Sequence, residues 1–492
     1  METDEFTAAT AAFVSWLSEN GTSALKAEDE VSDSGFTYLN HASVLFPRLK
    51  PFSGTCPDHL PVAAADFAED EIVFSVPRSA VLNVSNALAG ISDNASKDAI
   101  PKMPNWLAMT AVMVKEGQRS NSKWAPYLAI LPRQLESLVF WSESELRELQ
   151  ASTVVKKIGR EGAEQMFAEH ITPLDERNVE LYHRVASIIM AYAFDIPEDG
   201  EEKDPEHHGD ADELVSDDGE DEKTVLSMIP LADMLNADAD RNNARLCSDN
   251  EDLEMRTIKP IAKGEEIFND YGQLPRSDLL RRYGYVTDNY AAYDVAELTI
   301  QSIYFCLTTK PLTLANGKSM DPLRHHEMDL RLEIAQREGV YEDSYDLAHP
   351  GPDGPAIPDE LLALLYIILL DDENLRALFD SKIALPSRSK LSTELVGQVL
   401  AVLLEQREKN YATTIEEDEE LLQQPKLPHR TVMAVNVRLG EKRVLRGAIQ
   451  AASKFEGSNA RMMSAAAAAR VSHTGKRKAE ETSDSKKKGR FT

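Results

Sequence analysis

Two stretches of this chain carry strand-forming patterns, and a long helical pattern separates them. The first, VAAADFAEDEIVFSVPRSAVLNV at 62–84, mixes alternation with β-branched residues and is punctuated by Pro77. The second runs from 225 to 271. Between them, residues 104–195 read as helices: NWLAMTAVMVKEG, then SESELRELQAS with Ser142 as its N-cap, then ERNVELYHRVASIIMAYAF. Residues 1–20 are expected to form an amphipathic helix, since Phe6, Phe13, Trp16 and Leu17 recur on one face. Beyond 291 the chain is mostly helical, with HPGPDGPAIP at 349–358 a loop between helices. The expected class is α+β, a β-rich unit followed by an all-helical one. A length of 492 residues with 42% hydrophobic content suits two or three packed units, because domains usually span ~100–200 residues.

Charge narrows the function classes. The formal net charge of -30 argues against a general nucleic-acid binder, which needs a basic surface, and favours a basic protein partner. Much of the acid lies in PEDGEEKDPEHHGDADELVSDDGEDEK at 197–223, which has almost no apolar residue and is expected to be an unpacked loop. It reads either as a steering patch for cationic substrates or as a solvated insertion. His207 and His208 within it imply no fixed metal geometry. The three cysteines, Cys56, Cys247 and Cys306, stand far apart, so neither a disulfide framework nor a zinc cluster is supported. The acidic N-terminus METDEF lacks a secretory pattern, and the longest apolar run, LLALLYIILL at 361–370, is shorter than the ~20 residues a bilayer requires. At the other end, GKRKAEETSDSKKKGR at 475–490 carries two basic clusters around a polar spacer, the pattern of a two-part nuclear import signal, and a disordered basic tail is expected over 471–492.

No glycine-rich phosphate loop, nucleophile elbow, HExxH or paired metal site occurs. What remains is a set of asparagines and tyrosines. PLADMLNADADRNNARL at 230–246 is odd as a helix, because an apolar half from Leu231 to Leu235 gives way abruptly at Asn236. An asparagine there can fix a polar ligand by donating and accepting hydrogen bonds, or simply cap or turn the chain. GEEIFNDYGQLPRSDLLRRYGYV at 264–286 places a Tyr-Gly pair at Tyr271 and another at Tyr283.

ADMLN, NDYG and LLRRYGYV together resemble the SET-domain protein lysine methyltransferases, in the non-histone branch that includes the rubisco methyltransferases. AYAF at 191–194 matches the segment before the Asn motif; YLAILPRQLESLVFWSESELREL resembles the helical insertion of this branch, and ATTIEEDEELLQQ with VRLGEKRVL its C-terminal substrate-binding helices. The resemblance implies a catalytic SET domain over 1–290, with a helical insertion at about 104–195 and the acidic loop at 197–223, and a helical substrate-binding domain over 291–470. It implies S-adenosyl-L-methionine as cofactor and transfer of its methyl group to a protein lysine, a basic ribosomal protein being the expected substrate. The basic clusters of the tail, separately, set the expectation of a nuclear location with a second one in the cytoplasm, and a monomer is expected. Neither direct nucleic-acid binding nor membrane association is expected.

Carried over position by position, the resemblance makes Tyr271 the catalytic candidate lining the lysine channel. Tyr192, Asn236, Ala237 and Tyr283 fall on cofactor-contacting positions, Asp233 on one near the substrate lysine, and Trp124 is a substrate-contact candidate. Methyl transfer from a sulfonium to an amine needs alignment, water exclusion and support of the moving charge, none of which demands a metal. The amine must first lose its proton: lysine has an unperturbed pKa of about 10.4, which burial beside a sulfonium would lower. Tyr271 is then a neutral orienter of the amine.

The chain departs from the pattern twice. Relatives usually carry Asn-His where this chain reads Asn236-Ala237, and a Gly-x-Gly cofactor turn where it reads PDHLP at 57–61. Side chains at that turn conflict with close backbone approach to a cofactor. Residues 35–61 as a whole look unlike the family, so either cofactor binding is impaired or the translated sequence contains a gene-model error. Impairment would make the chain a SET-fold binding module for lysine-rich proteins, and a third reading is an acidic escort for basic proteins.

Overall fold

A computed structural model describes residues 2–22, 36–38, 44–47, 62–172, 179–197, 224–248, 252–351, 356–464 and 466–467. The acidic segment from 198, the basic tail and PDHLP lie outside the described residues, as does Cys56. The chain divides into two compact units that do not follow chain order: residues 1–297, 346–357 and 407–448 form the first, and 298–345, 358–406 and 449–492 the second.

The first unit is built from small sheets rather than one large one. Ile72–Pro77 pairs antiparallel with Asp252–Thr257, which pairs in turn with Ala244–Ser248. Leu82–Asn83 and Ala193–Pro197 flank Thr224–Met228 in a second antiparallel sheet. Alternation explains the first: in Asp252–Thr257 the residues Leu253, Met255 and Thr257 are buried while their neighbours are half-exposed. The third pairing differs in kind. Asn236–Ala237 runs parallel to Phe268–Asn269, with Asn236 opposite Phe268 and Ala237 opposite Asn269. Parallel strands cannot be joined by a tight turn, so the chain must travel out and return, and this brings the Asn motif beside the first Tyr-Gly. Asn243 clamps the crossing, since its amide donates to the Glu266 carbonyl at 2.8 Å and accepts from the Phe268 amide at 2.8 Å.

Helices close the core of this unit. Asn105–Gln118 buries Leu107 through Val114, and packs on Val179–Tyr192, whose Tyr182, Val185, Ile188 and Ile189 are also buried. The N-terminal helix, Glu2–Glu19, sends Phe13, Trp16 and Leu17 into the same core. Ser142 caps Glu143–Leu146 in a reciprocal capping box with Glu145.

The C-terminal residues of this unit are bonded into the helical stretch between its strands. Arg430 donates to Glu136 at 2.7 Å and to the Phe140 carbonyl at 3.2 Å, and Ser152 donates to Glu441 at 2.6 Å. Gln150 bonds Thr413 at 3.0 Å, and Arg438 reaches the Glu148 carbonyl. These partners lie hundreds of positions apart, which is why contacts rather than chain order define the unit.

The second unit is mostly helical but not all-helical as expected, since Leu312–Thr313 and Ala466–Ala467 both pair antiparallel with Lys318–Met320 in a small sheet. Asp359–Leu369 is buried on all sides from Leu361 onward, so it is a core helix rather than an amphipathic one. Its C-terminal carbonyls at Ile367 and Leu370 accept from the buried Arg331 guanidinium at 3.1 and 2.9 Å, a cationic cap on the negative end of the helix. None of the described helices is long and apolar enough to cross a membrane. Cys247 and Cys306 are free thiols.

Candidate active site

The two Tyr-Gly pairs meet. The rings of Tyr271 and Tyr283 stack with centroids 4.5 Å apart and planes 7° apart, and Tyr285 meets Tyr283 edge-on at 6.3 Å. Each glycine is there for its backbone: Gly272 has φ 79° and Gly284 φ 75°, left-handed values that side chains disfavour. Gly272 turns the chain just after the first tyrosine, its amide held by Asp270 at 2.8 Å. Gly284 ends the short helical turn Leu279–Tyr283, whose wider winding sets the direction of the Tyr283 ring.

Space distinguishes the two glycines. A Cβ on Gly284 would lie 2.8 Å from the Ser137 amide nitrogen and 2.9 Å from the Glu136 carbonyl carbon, while one on Gly272 would meet nothing within 4 Å. Gly284→Ala is therefore expected to destabilise the protein by about 2–3 kcal/mol and Gly272→Ala by about 1 kcal/mol, read from urea midpoints; equal losses would contradict this account.

The hydroxyl of Tyr271 donates to the Leu235 carbonyl at 3.1 Å, next to Asn236. The Asn236 side-chain amide donates to Glu266 at 2.8 Å, so the residue is held by a side chain from the returning strand and caps no helix. Burial pushes the Glu266 carboxyl above its ordinary range, against the pull of the Asn236 amide and Arg241. Ala237 is half-buried opposite Asn269. Just beyond, the buried Asp238 accepts from the Arg241 guanidinium at 2.7 Å and from Asn289 at 2.9 Å, pinning the loop that follows.

Instead of an extended helix, the Asn motif opens as a single turn, Ala232–Met234, entered through Leu231 at φ 81° and ψ -45°. Those are the angles of a strained γ-turn, rare for leucine. The turn inserts Asp233 into the interior at 5% exposure. Burial raises its carboxyl to about 7, although the Tyr127 hydroxyl, which donates to its Oδ2, favours the ionised form. The charge of Asp233 in turn helps to hold the phenols of Tyr192 and Tyr271 above their ordinary values, with burial the larger cause in both. For Tyr271 the further contributions come from Tyr283, Tyr285 and Tyr192, and for Tyr283 burial pushes the phenol up to about 12. All these phenols are neutral at physiological pH.

Tyr192, Asp233, Asn236, Ala237, Tyr271 and Tyr283 are thus brought to one region, and Trp124 is not. The Trp124 indole is 2% exposed, donates to the Ala80 carbonyl at 2.9 Å and packs in the main core. Sequence reasoning missed Tyr127, Tyr285 and Glu266. Tyr285 had a signal, since it follows the second Tyr-Gly directly; Tyr127 and Glu266 act through partners 106 and 30 positions away and carried none.

This arrangement suits a cationic group. Apart from burial, the groups that act most on Tyr271 are Tyr283, Tyr285, Tyr192 and Asp233, and the side chain that acts on Asp233 is Tyr127. Stacked ring faces and a carboxyl in a dry setting favour an ammonium or sulfonium. The chemistry open to such a site is alignment and charge support without a metal, and no cluster of metal-ligating side chains occurs among the described residues.

Comparison with known proteins gives the family. The SET domain model matches residues 62–272, and the Rubisco LSMT substrate-binding model residues 322–445. The chain is 30% identical to ribosomal lysine N-methyltransferase 4 of Saccharomyces cerevisiae over 387 residues, covering 75% of this chain and 73% of that protein. It is 27% identical to human N-lysine methyltransferase SETD6, covering 80% and 84%. Among solved structures, the SET domain of LSMT bound to lysine and AdoHcy matches with a TM-score of 0.63 at 19% identity over 91% of each chain, a likeness of fold. The chain belongs to the SET-domain protein lysine methyltransferases.

Proposed function

We propose that this chain transfers the methyl group of S-adenosylmethionine to the side-chain amine of a lysine in a ribosomal protein. The observation that carries the reading is the placement of the Tyr271 hydroxyl on the Leu235 carbonyl, beside Asn236, with Tyr283 stacked on its ring. S-adenosylmethionine, when bound, supplies an electrophilic methyl group on a sulfonium. The residues suited to hold it are Tyr192, Asn236, Ala237 and Tyr283, with Glu266 fixing the Asn236 amide. Tyr271 serves as the catalytic orienter: its neutral hydroxyl aligns the lysine nitrogen, while the ring faces support positive charge near the methyl group. Asp233 serves the incoming amine from the other side of the cluster. Exclusion of water lowers the lysine pKa and so helps it arrive uncharged.

The relative named for ribosomal lysine supports a ribosomal substrate, and the net charge of -30 suits a basic one. We assign catalysis to residues 1–290 and substrate docking to 291–470, and place the enzyme, as a monomer, in the nucleus on the strength of the basic clusters at 475–490. Incubating the purified full chain and S-adenosylmethionine with ribosomal proteins from cells lacking this gene should add methyl groups to one lysine, read by peptide mass spectrometry. A chain that binds those proteins but adds none is a binding module instead, and the proposal fails.

A further inference from the structure

We propose that Tyr127 is a positioning residue for the substrate lysine, holding one oxygen of the Asp233 carboxyl so that the other is left to receive the incoming amine. The inference rests on the methyl-transfer reading above. Tyr127 lies on the short helix Ala125–Ile130, is 0% exposed, and gives its hydroxyl to Asp233 Oδ2. Its ring is fixed from the other side by the N-terminal helix, tilted against Phe13 at 6.0 Å and stacked on Trp16 at 6.5 Å. Asp233 Oδ1, by contrast, is buried without a hydrogen bond. The backbone amides of Leu231 and Asp233 face the carboxyl and favour its charged form.

A buried acceptor left unmatched costs about 1–3 kcal/mol, and it sits in the same turn as the strained Leu231. Two local penalties in one turn beside a stacked tyrosine pair point to use rather than accident. An N–H of the incoming lysine amine supplies the missing donor. Only one carboxyl oxygen is then available to it, and that fixes the approach of the nitrogen toward the Tyr271 hydroxyl. A bond from a neutral donor on Oδ2 also leaves the carboxyl free to ionise, which two competing donors would not improve for the substrate.

The groups facing Asp233 are Tyr127 on its helix, Tyr192 at the end of Val179–Tyr192, and Tyr271 beyond the strand Phe268–Asn269. The Asp233 carboxyl is ionised above about 7 and neutral below it, so capture of the amine weakens as pH falls through that value. Losing the Tyr127 hydroxyl removes a bond that favours the ionised form, and the midpoint must rise.

The test measures kcat/KM of the full chain from pH 6 to 9 with S-adenosylmethionine and ribosomal proteins from cells lacking the gene. Tyr127→Phe should move the acid limb upward by about one pH unit, a loss of about tenfold at pH 6.5, with the two profiles within about twofold at pH 9. Placing 3-fluorotyrosine at 127 keeps the shape and strengthens the donor, so the limb should move the other way even if the phenylalanine variant folds poorly. In the chain alone, the infrared band of the protonated Asp233 carboxyl, assigned by its loss in Asp233→Asn, should titrate with the same shifts. Transfer with coincident limbs, or an unmoved infrared midpoint, overturns the positioning role alone. Absence of transfer by the native chain overturns the methyl-transfer reading, and the role with it.

Discussion

Tyr271→Phe is expected to leave a folded protein whose methyl transfer is slower by about 100-fold or more. The change deletes one hydroxyl and nothing else. Phenylalanine keeps the ring that stacks on Tyr283 at 4.5 Å, and the lost bond to the Leu235 carbonyl is a neutral pair worth about 1 kcal/mol. Stability should therefore fall by no more than that, while the amine loses the group that aligns it with the methyl carbon. Misplacement of a reacting atom by an ångström is enough for a loss of this size. Because burial and the surrounding tyrosines hold the Tyr271 phenol well above its ordinary value, the native enzyme should show no alkaline limb from this residue below pH 10. Single-turnover rates, urea midpoints and cofactor binding measured on the same preparations separate the effects. A variant within threefold of the native rate would remove Tyr271 from the catalytic role.

Features that depend on neighbours in sequence were legible before the structure. Phe13, Trp16 and Leu17 announced a helix over 1–20 that spans Glu2–Glu19, and Ser142 with Glu145 announced its cap. Pro77 does end a strand, Ile72–Pro77. The Tyr-Gly pairs were legible as a motif, but their stacking follows from two left-handed turns whose direction no periodicity encodes. Asn236 had three plausible uses as a lone polar residue, and only the parallel pairing with Phe268 brought Glu266 onto its amide. Trp124 shows the opposite case, since nothing in its sequence neighbours tells that its indole turns toward the Ala80 carbonyl. Least legible was Tyr127, a tyrosine in an apolar helix that owes its place to an aspartate 106 positions away. Long-range polar partners of this kind are fixed by packing and not by local propensity.

The same principle governs the largest expected loss of stability, in which Asp418→Asn unfolds the first unit more easily by about 3–5 kcal/mol. Asp418 is fully buried at 0% exposure, and its carboxylate accepts from Arg438 at 2.8 and 3.1 Å, from Thr413 at 2.8 Å and closely from the Lys442 ammonium. Arg438 and Lys442 are each 1% exposed, so one carboxylate stands between two cations that water barely reaches. An amide of the same shape would leave both cations facing a dipole, and their mutual repulsion would go unanswered. Asp418→Leu together with Arg438→Met and Lys442→Met should recover much of the loss, because apolar side chains of similar size need no partner. The cations and hydrogen bonds hold the Asp418 carboxyl below its ordinary value despite burial. A depressed value means that the stabilisation is complete above the unfolded-state pKa of about 3.9 and disappears as pH falls through the folded one. Arg438 also reaches the Glu148 carbonyl, so the loss should loosen residues 136–152 as well as 407–448. Hydrogen exchange in both segments, rising together in Asp418→Asn at neutral pH, would establish the coupling; a rise confined to 407–448 would show that the buried cluster holds only its own helices.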